Sequence, residues 1–322
     1  MTQYIIRRVL VSIPLLFLLS LTSYIVIQLA PGDPIQALID PEEMLYMGPH
    51  DIEELKKRYG LDKPLPVQYF IWLGEAVKGN LGYSIQTHNI PVMQLILERL
   101  PATAFLMVVT MAFGVSMGLL FGVISALKQY SRLDYGLTVS AFFMLSVPEF
   151  FWALMAMFIF AVTLSWFPTF GMWTPGGEVG INWDLMHHLV LPVVALSLND
   201  IAGMMRYARA SVLDTISADF VRTARAKGLS EQLILWKHVF RNALIPIVTL
   251  LGLRLPVLFG GALIVETIFG WPGVGLLGYT ALLQRDYPVI MGVLIIASII
   301  TLAANLLTDI AYAWVDPRVR HT

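Results

Sequence analysis

The stretch DFVRTARAKGLSEQLILWKHVFRNALIPIV, Asp219 to Val248, packs charge into a chain that is otherwise mostly apolar. In and just before it, Val212, Ile216, Phe220 and Ala224 recur at every fourth position, the one-sided stripe of an amphipathic helix. Gly228 then stands where a helix C-terminus favours a left-handed residue. Ser230 occupies the capping position of a second helix carrying Leu233, Ile234, Trp236, Lys237 and Phe240, with Glu231 near its positive end. The predicted shape is helix, glycine elbow, helix. Ala224, Ala226 and Gly228 give the elbow little side-chain bulk, while Arg222, Arg225 and Lys227 surround it with positive charge, so another protein has room to dock closely there.

The rest of the chain sets the frame for this elbow. Hydrophobic residues make up 57% of the 322 positions against 13% charged, and the mean hydropathy is +0.72, which excludes an ordinary soluble domain. The chain reads as an all-α polytopic membrane protein. Val9 to Ala30 follows Arg7 and Arg8 and spans roughly 33 Å as a helix, long enough to cross a bilayer. Its h-region is too long for a signal peptide, and Pro31-Gly32-Asp33-Pro34 looks like a helix stop, so residues 1–30 are read as a retained anchor. Residues 31–98 form a small helical extramembrane segment broken by Gly60, Pro64, Pro66 and Gly79.

Five further spans are expected near Ala102 to Leu127, Tyr135 to Trp166, His188 to Tyr207, Asn242 to Ile268 and Tyr287 to Val315, making six transmembrane helices. The second of these is over-long and contains Pro148-Glu149, which calls for a tilt, a kink or an interfacial piece. Residues 99–315 thus form a five-helix core, with 316–322 as a tail. With the N-terminus cytoplasmic, the inward segments collect Arg7, Arg8, Lys128, Arg132, Arg206 and Arg209 together with the basic residues of the elbow, whereas the short outer loops carry only Arg285. Both termini and the loop 208–241 are therefore expected in the cytoplasm. Cysteine is absent, which excludes disulfides, thiolate metal sites and cysteine nucleophiles.

The run Arg222-Thr223-Ala224-Arg225-Ala226-Lys227-Gly228, followed by His238 and Arg241-Asn242, resembles the cytoplasmic loop of binding-protein-dependent ABC importer permeases of the dipeptide, oligopeptide and nickel branch. Ala224 and Gly228 match the general Glu-Ala-Ala-x-x-x-Gly spacing. Arg222 stands instead at the acidic position, Thr223 at the first alanine, His238 at the isoleucine and Phe240-Arg241 at Leu-Pro. Similar motifs run along the whole chain, among them Tyr59 to Pro64, Gly79 to Ser84, Glu266 to Gly275, Arg285 to Pro288 and Asp316 to Arg320.

The resemblance implies a type I ABC importer permease fold and a bacterial inner-membrane location. It implies as partners a homologous second permease, two cytoplasmic ABC ATPase subunits and an extracytoplasmic solute-binding protein, with no nucleic acid. The elbow would then sit in a groove of the ATPase and pass its closure to the membrane spans. The residues assigned to this coupling are Arg222, Thr223, Ala224, Arg225, Ala226, Lys227, Gly228, His238, Arg241 and Asn242. No Gly-x-x-x-x-Gly-Lys-Ser/Thr phosphate loop occurs in the chain, so no cofactor is expected on it, and ATP and Mg belong to the partners. The solute is expected to be a small peptide or a related molecule, with a nickel chelate, glutathione or an oligosaccharide as alternatives.

Ionisable residues within spans are costly unless paired or hydrated, and Glu149, Asp200, Arg254 and Glu266 are candidates for the translocation path. Asp200 and Arg254 are expected to pair. Glu266 and Asp309 lie near span ends, where headgroups or water are the simpler partners. His187-His188 are adjacent and do not share a helix face, so no metal site is expected and an interfacial position at the start of a span fits better. Trp166, Trp173, Trp183, Trp271 and Trp314 read as interface anchors, and Gly114 and Gly118 as a close helix crossing. A secondary transporter would call for internal repeats and coupling-ion groups, and a membrane enzyme for a clustered acid, base or nucleophile; neither pattern emerges.

Overall fold

The computed structural model describes residues 2–29, 62–87, 90–244, 247 and 262–315, together with 46, 48, 50, 51, 53 and 54. The regular elements among them are helices, apart from an isolated bridge between Tyr83 and Pro91, and 164–182 form an irregular connection. Among the described residues four helices are long and apolar enough to cross a membrane, and a fifth candidate is a bent pair. The fifth apolar run of the sequence, Asn242 to Ile268, lies largely outside the described residues, as do Arg254, the Pro31 to Pro34 stop and the Asp316 to Arg320 ending.

The chain divides into two compact units, Met1–Thr103 with Pro272–Leu306, and Ala104–Trp271 with Leu307–Thr322. The first holds α1 (Thr2–Leu29), α2 (Leu65–Val77), the start of α3 (Val92–Leu127), α10 (Val274–Gln284) and most of α11 (Tyr287–Val315). Pro64 opens α2 with φ −57°, an angle that suits a helix entrance. Tyr69 is 2% exposed and packs edge-on to Phe17 and Tyr24 of α1, with its hydroxyl 2.8 Å from Ser20 Oγ. Leu81, Val92, Ile96, Val274, Ala281, Val289 and Ile290 form the core of this unit. α3 begins at Val92 rather than near Ala102 and carries Pro101 without a break.

Two of the sequence motifs meet in this unit. Asp286 is 2% exposed, and its Oδ2 accepts from Ser84 Oγ at 2.5 Å, Ile85 N at 3.1 Å and Gln86 N at 3.3 Å. The same carboxylate faces the first turn of α11, with Val289 N 3.4 Å from Oδ1. The Gly79 to Ser84 and Arg285 to Pro288 motifs are thus two halves of one hydrogen-bonded joint.

The second unit holds the rest of α3, α4 (Arg132–Ser146), α5 (Glu149–Ala156), α6 (Trp183–Ile216), α7 (Asp219–Ala226), α8 (Glu231–Leu233) and α9 (Leu263–Phe269). α5 and α8 continue as π-helical turns over Met157–Thr163 and Ile234–Phe240. Between α4 and α5 the chain turns through 102°. Pro148 explains the turn: its ring drives Val147 out of the helical region to φ −99°, ψ 129°. Trp152 braces the corner, donating from Nε1 to Met144 O at 3.3 Å and packing edge-on to Phe143. The kink expected of this over-long span is therefore present.

α3 and α6 cross closely. A Cβ on Gly114 would lie 3.0 Å from Asp200 Cβ, one on Gly118 2.5 Å from Met204 Cβ, and one on Gly122 2.6 Å from Ala208 Cβ. The small-residue reading of Gly114 and Gly118 holds and extends one step further to Gly122. Without side chains at three successive levels the two backbones approach closely.

Candidate functional site

α6 runs past the expected end at Tyr207 as far as Ile216, breaks at Ser217-Ala218, and gives way to α7. The predicted stripe changes phase at that break. Val212 and Ala224 are buried, but Phe220 is 45% exposed and Val221 takes its place at 0%. Val212, Val221, Ala224, Ile234, Val239 and Ala243 then form one apolar cluster with Ala126 and Val123 at the end of α3. This cluster fastens the elbow to α3 and α6 from its inner side.

Gly228 closes α7 in the left-handed region at φ +77°, as its position in the sequence demands. A Cβ placed there would meet nothing within 4 Å, so the outer side of the turn is open. Arg222, Thr223, Arg225, Ala226 and Lys227 are all exposed, whereas Ala224 faces inward and contributes packing rather than a low-bulk surface. Ser230 occupies the cap position of α8 without a side-chain hydrogen bond. Glu231 instead reaches back over the turn: Arg225 Nε donates to Oε1 at 2.8 Å and Nη2 to Oε2 at 3.2 Å. The guanidinium holds the Glu231 carboxyl below its ordinary value, and the carboxylate raises that of Arg225. Further on, His238 is half-buried, Arg241 and Asn242 are exposed, and Asn242 Nδ2 donates to His238 O at 2.6 Å. Arg222, Thr223, Arg225, Ala226 and Lys227 therefore form a solvent-facing, basic turn with a packed underside, while His238 lies on the following π-helical segment and Arg241 and Asn242 just after it.

Residues 118–321 match the family model "Binding-protein-dependent transport system inner membrane component", and residues 1–107 match its N-terminal companion. The chain belongs to this permease family. It is 43% identical to an oligopeptide transport system permease protein of Bacillus subtilis, with both chains covered in full. It is 37% identical to a dipeptide transport system permease protein of Alkalihalophilus pseudofirmus, again over both full lengths. Among solved structures, a chain of the MetNI methionine ABC transporter in inward-facing conformations aligns with a TM-score of 0.51 at 16% identity, covering 70% of this chain and 97% of that one. That likeness concerns the fold, which is that of an ABC transporter permease. The chain is a multi-pass membrane protein.

The remaining path candidates among the described residues of the permease lie on α5, α6 and α9. Glu149 is half-buried at the first position of α5, where its charge suits the helix N-terminus. Asp200 sits on α6 beside Gly114, and its expected partner Arg254 lies outside the described residues. Glu266, a path candidate with headgroup or water contact as the alternative, is 0% exposed on α9, which packs against α5 and α6. Trp271, expected to anchor at the interface, is also 0% exposed, with its backbone N–H donating to Glu266 O at 2.9 Å. Hydropathy gives depth in a bilayer but not which side of a helix faces protein, and the burial of both residues turns on the latter. Trp166 and Trp183 are exposed, as anchors are. His188, near the start of α6, is buried in protein, with Nδ1 2.9 Å from Asp184 O, while His187 Nε2 lies 2.7 Å from Trp166 O.

One constellation is not evident from the span pattern. Asp134, at the start of α4, is 2% exposed and accepts from Arg209 Nε and Nη2, both at 2.9 Å, from Tyr130 N at 2.9 Å and from Ser125 Oγ. Charge counting marks Arg209 only as a cytoplasmic residue. The available signal is Ser131-Arg132-Leu133-Asp134, a capping-box pattern in which Ser131 Oγ accepts from Asp134 N at 3.2 Å. The network joins α3, the α3–α4 turn and α6 within one turn of Val212, where the elbow packs.

Proposed function

We propose that this permease carries a small peptide from an extracytoplasmic binding protein into the cytoplasm, driven by ATP hydrolysed on partner subunits that grip the Gly228 elbow. The observation that carries the reading is the elbow itself: a basic turn, open on its outer side and fastened by an apolar underside to α3 and α6. A push on the turn reaches those two helices directly. The peptide assignment follows the oligopeptide and dipeptide permeases that the chain resembles over its full length. In this reading the chain pairs with a homologous permease in the bacterial inner membrane, both termini face the cytoplasm, and Arg222, Arg225, Lys227 and Arg241 supply the charge that the ATPase pair meets. ATP and Mg are held by those partners and not by this chain.

The test uses Gly228→Asn beside Gly228→Ala. Asparagine tolerates the left-handed backbone and adds bulk, whereas alanine adds little bulk at a cost of about 1–2 kcal/mol in that conformation. Among the described residues nothing lies within 4 Å of a Cβ at this position. If an ATPase docks on the turn, Gly228→Asn detaches it in copurification while the permease stays folded, and peptide uptake into proteoliposomes stops. Full ATP-driven uptake with Gly228→Asn would remove the coupling role, and uptake of nickel chelate, glutathione or oligosaccharide without peptide would remove the substrate assignment.

A further inference from the structure

The π-helical turns after α8 present an outward surface at Trp236 and Lys237, neither of which belongs to the coupling set. Ile234, Val239 and Ala243 point into the cluster on α3 and α6, which leaves the opposite side of the segment outward. On that side Trp236, 72% exposed, stacks on Phe240 with ring centroids 4.9 Å apart and planes 16° from parallel. Leu233 and Leu244 extend the exposed apolar strip, and Lys237, next to Trp236 in sequence, is exposed as well. No acidic residue lies between Gln232 and Pro246. Directly beyond, the sequence continues into the apolar run to Ile268.

We infer that this face is a docking site for an anionic phospholipid of the leaflet entered by that run. A ring pair whose exposed member is Trp236, followed in sequence by an apolar run, has the chemistry of the membrane interface, where amphipathic rings settle at headgroup depth. The adjacent ammonium of Lys237 matches a phosphodiester anion. A protein groove would have to desolvate that cation against a matched acid, whereas headgroups meet it at the water boundary. One basic side chain is expected to enrich anionic lipid locally about fivefold, the equivalent of about 1 kcal/mol. Such docking requires only that the segment borders a span, and it stands whether or not an ATPase grips Gly228.

The experiment places the assembled transporter in nanodiscs containing either brominated phosphatidylglycerol or brominated phosphatidylcholine. The emission of Trp236 is obtained as the difference between the wild type and Trp236→Phe, a variant that keeps the stack. Quenching stronger with brominated phosphatidylglycerol, and a preference that falls about fivefold for Lys237→Gln, is the expected result. Absence of quenching by either lipid would mean that protein covers the rings and would overturn the inference. Equal quenching by both lipids, unchanged in Lys237→Gln, would also overturn it, by reducing the site to ordinary bilayer contact. Retained peptide-stimulated ATP hydrolysis in Trp236→Phe and Lys237→Gln establishes that they are folded and assembled.

Discussion

Asp134 concentrates much of what single residues do in this protein. Its side chain is 4% exposed and that of Arg209 28%, so the ion pair is sheltered on one side and reached by water on the other. Removal of one partner strands the other, and Asp134→Ala is expected to destabilise the permease by about 3 kcal/mol, the low end for a broken buried pair. Asp134→Asn, which keeps an acceptor toward Ser125 and Tyr130, should cost less. Thermal unfolding in detergent compares the two, and an unchanged midpoint in Asp134→Ala would refute a structural role for the pair. At the elbow the electrostatics are exposed and correspondingly weak, but their sign is definite. Glu231 has a folded pKa below its ordinary 4.5 because of Arg225. Its contribution is fully present above that ordinary value and fades as pH falls through the lower folded one. A carboxyl-carbon NMR titration should find Glu231 below 4.5 and return it to the ordinary value in Arg225→Gln. A titration that Arg225→Gln leaves unmoved would contradict the pairing.

At the scale of elements, glycines divide into two kinds that respond oppositely to substitution. Gly118 faces Met204 at a virtual Cβ distance of 2.5 Å, so Gly118→Val should overpack the α3–α6 crossing and cost about 1–3 kcal/mol. Gly74 of α2 meets nothing within 4 Å, and Gly74→Ala should gain about 0.5–1 kcal/mol from helix propensity. Thermal melts of the pair separate packing from propensity, and the same sign for both would refute the division. The crossing is legible as Gly114-x-x-x-Gly118 because close approach needs small residues at helical spacing. Gly228 is legible because few other residues accept its backbone angle. The stripe is legible only in part: its four-residue period assumes one continuous helix, and the break at Ser217-Ala218 rotates α7 relative to α6, so Val221 and not Phe220 enters the core. The π-helical turns at Ile234–Phe240 have no sequence signal, since a shift of hydrogen-bond register needs no special residue type.

Across the whole molecule, runs of apolar residues locate the membrane helices, and the turn at Pro148 accounts for the run that is too long for one crossing. Which buried charges face protein is not legible, as Glu266 shows, because its concealment depends on helices distant in sequence. Topology is directly testable here because the chain has no native cysteine. A membrane-impermeant maleimide should label Arg222→Cys only in inside-out vesicles and Glu178→Cys, on an exposed turn before α6, only in right-side-out ones. Labelling of both from one side would invalidate the proposed orientation. The triple glycine crossing has a mechanical corollary. Methionine and alanine side chains of α6 seat against bare backbone at Gly118 and Gly122, and sliding either helix along the other would drive them into the next bulky level of α3. The two rods are therefore keyed together as one beam, and α6 also packs against both α4 and α5, the two arms of the 102° corner at Pro148.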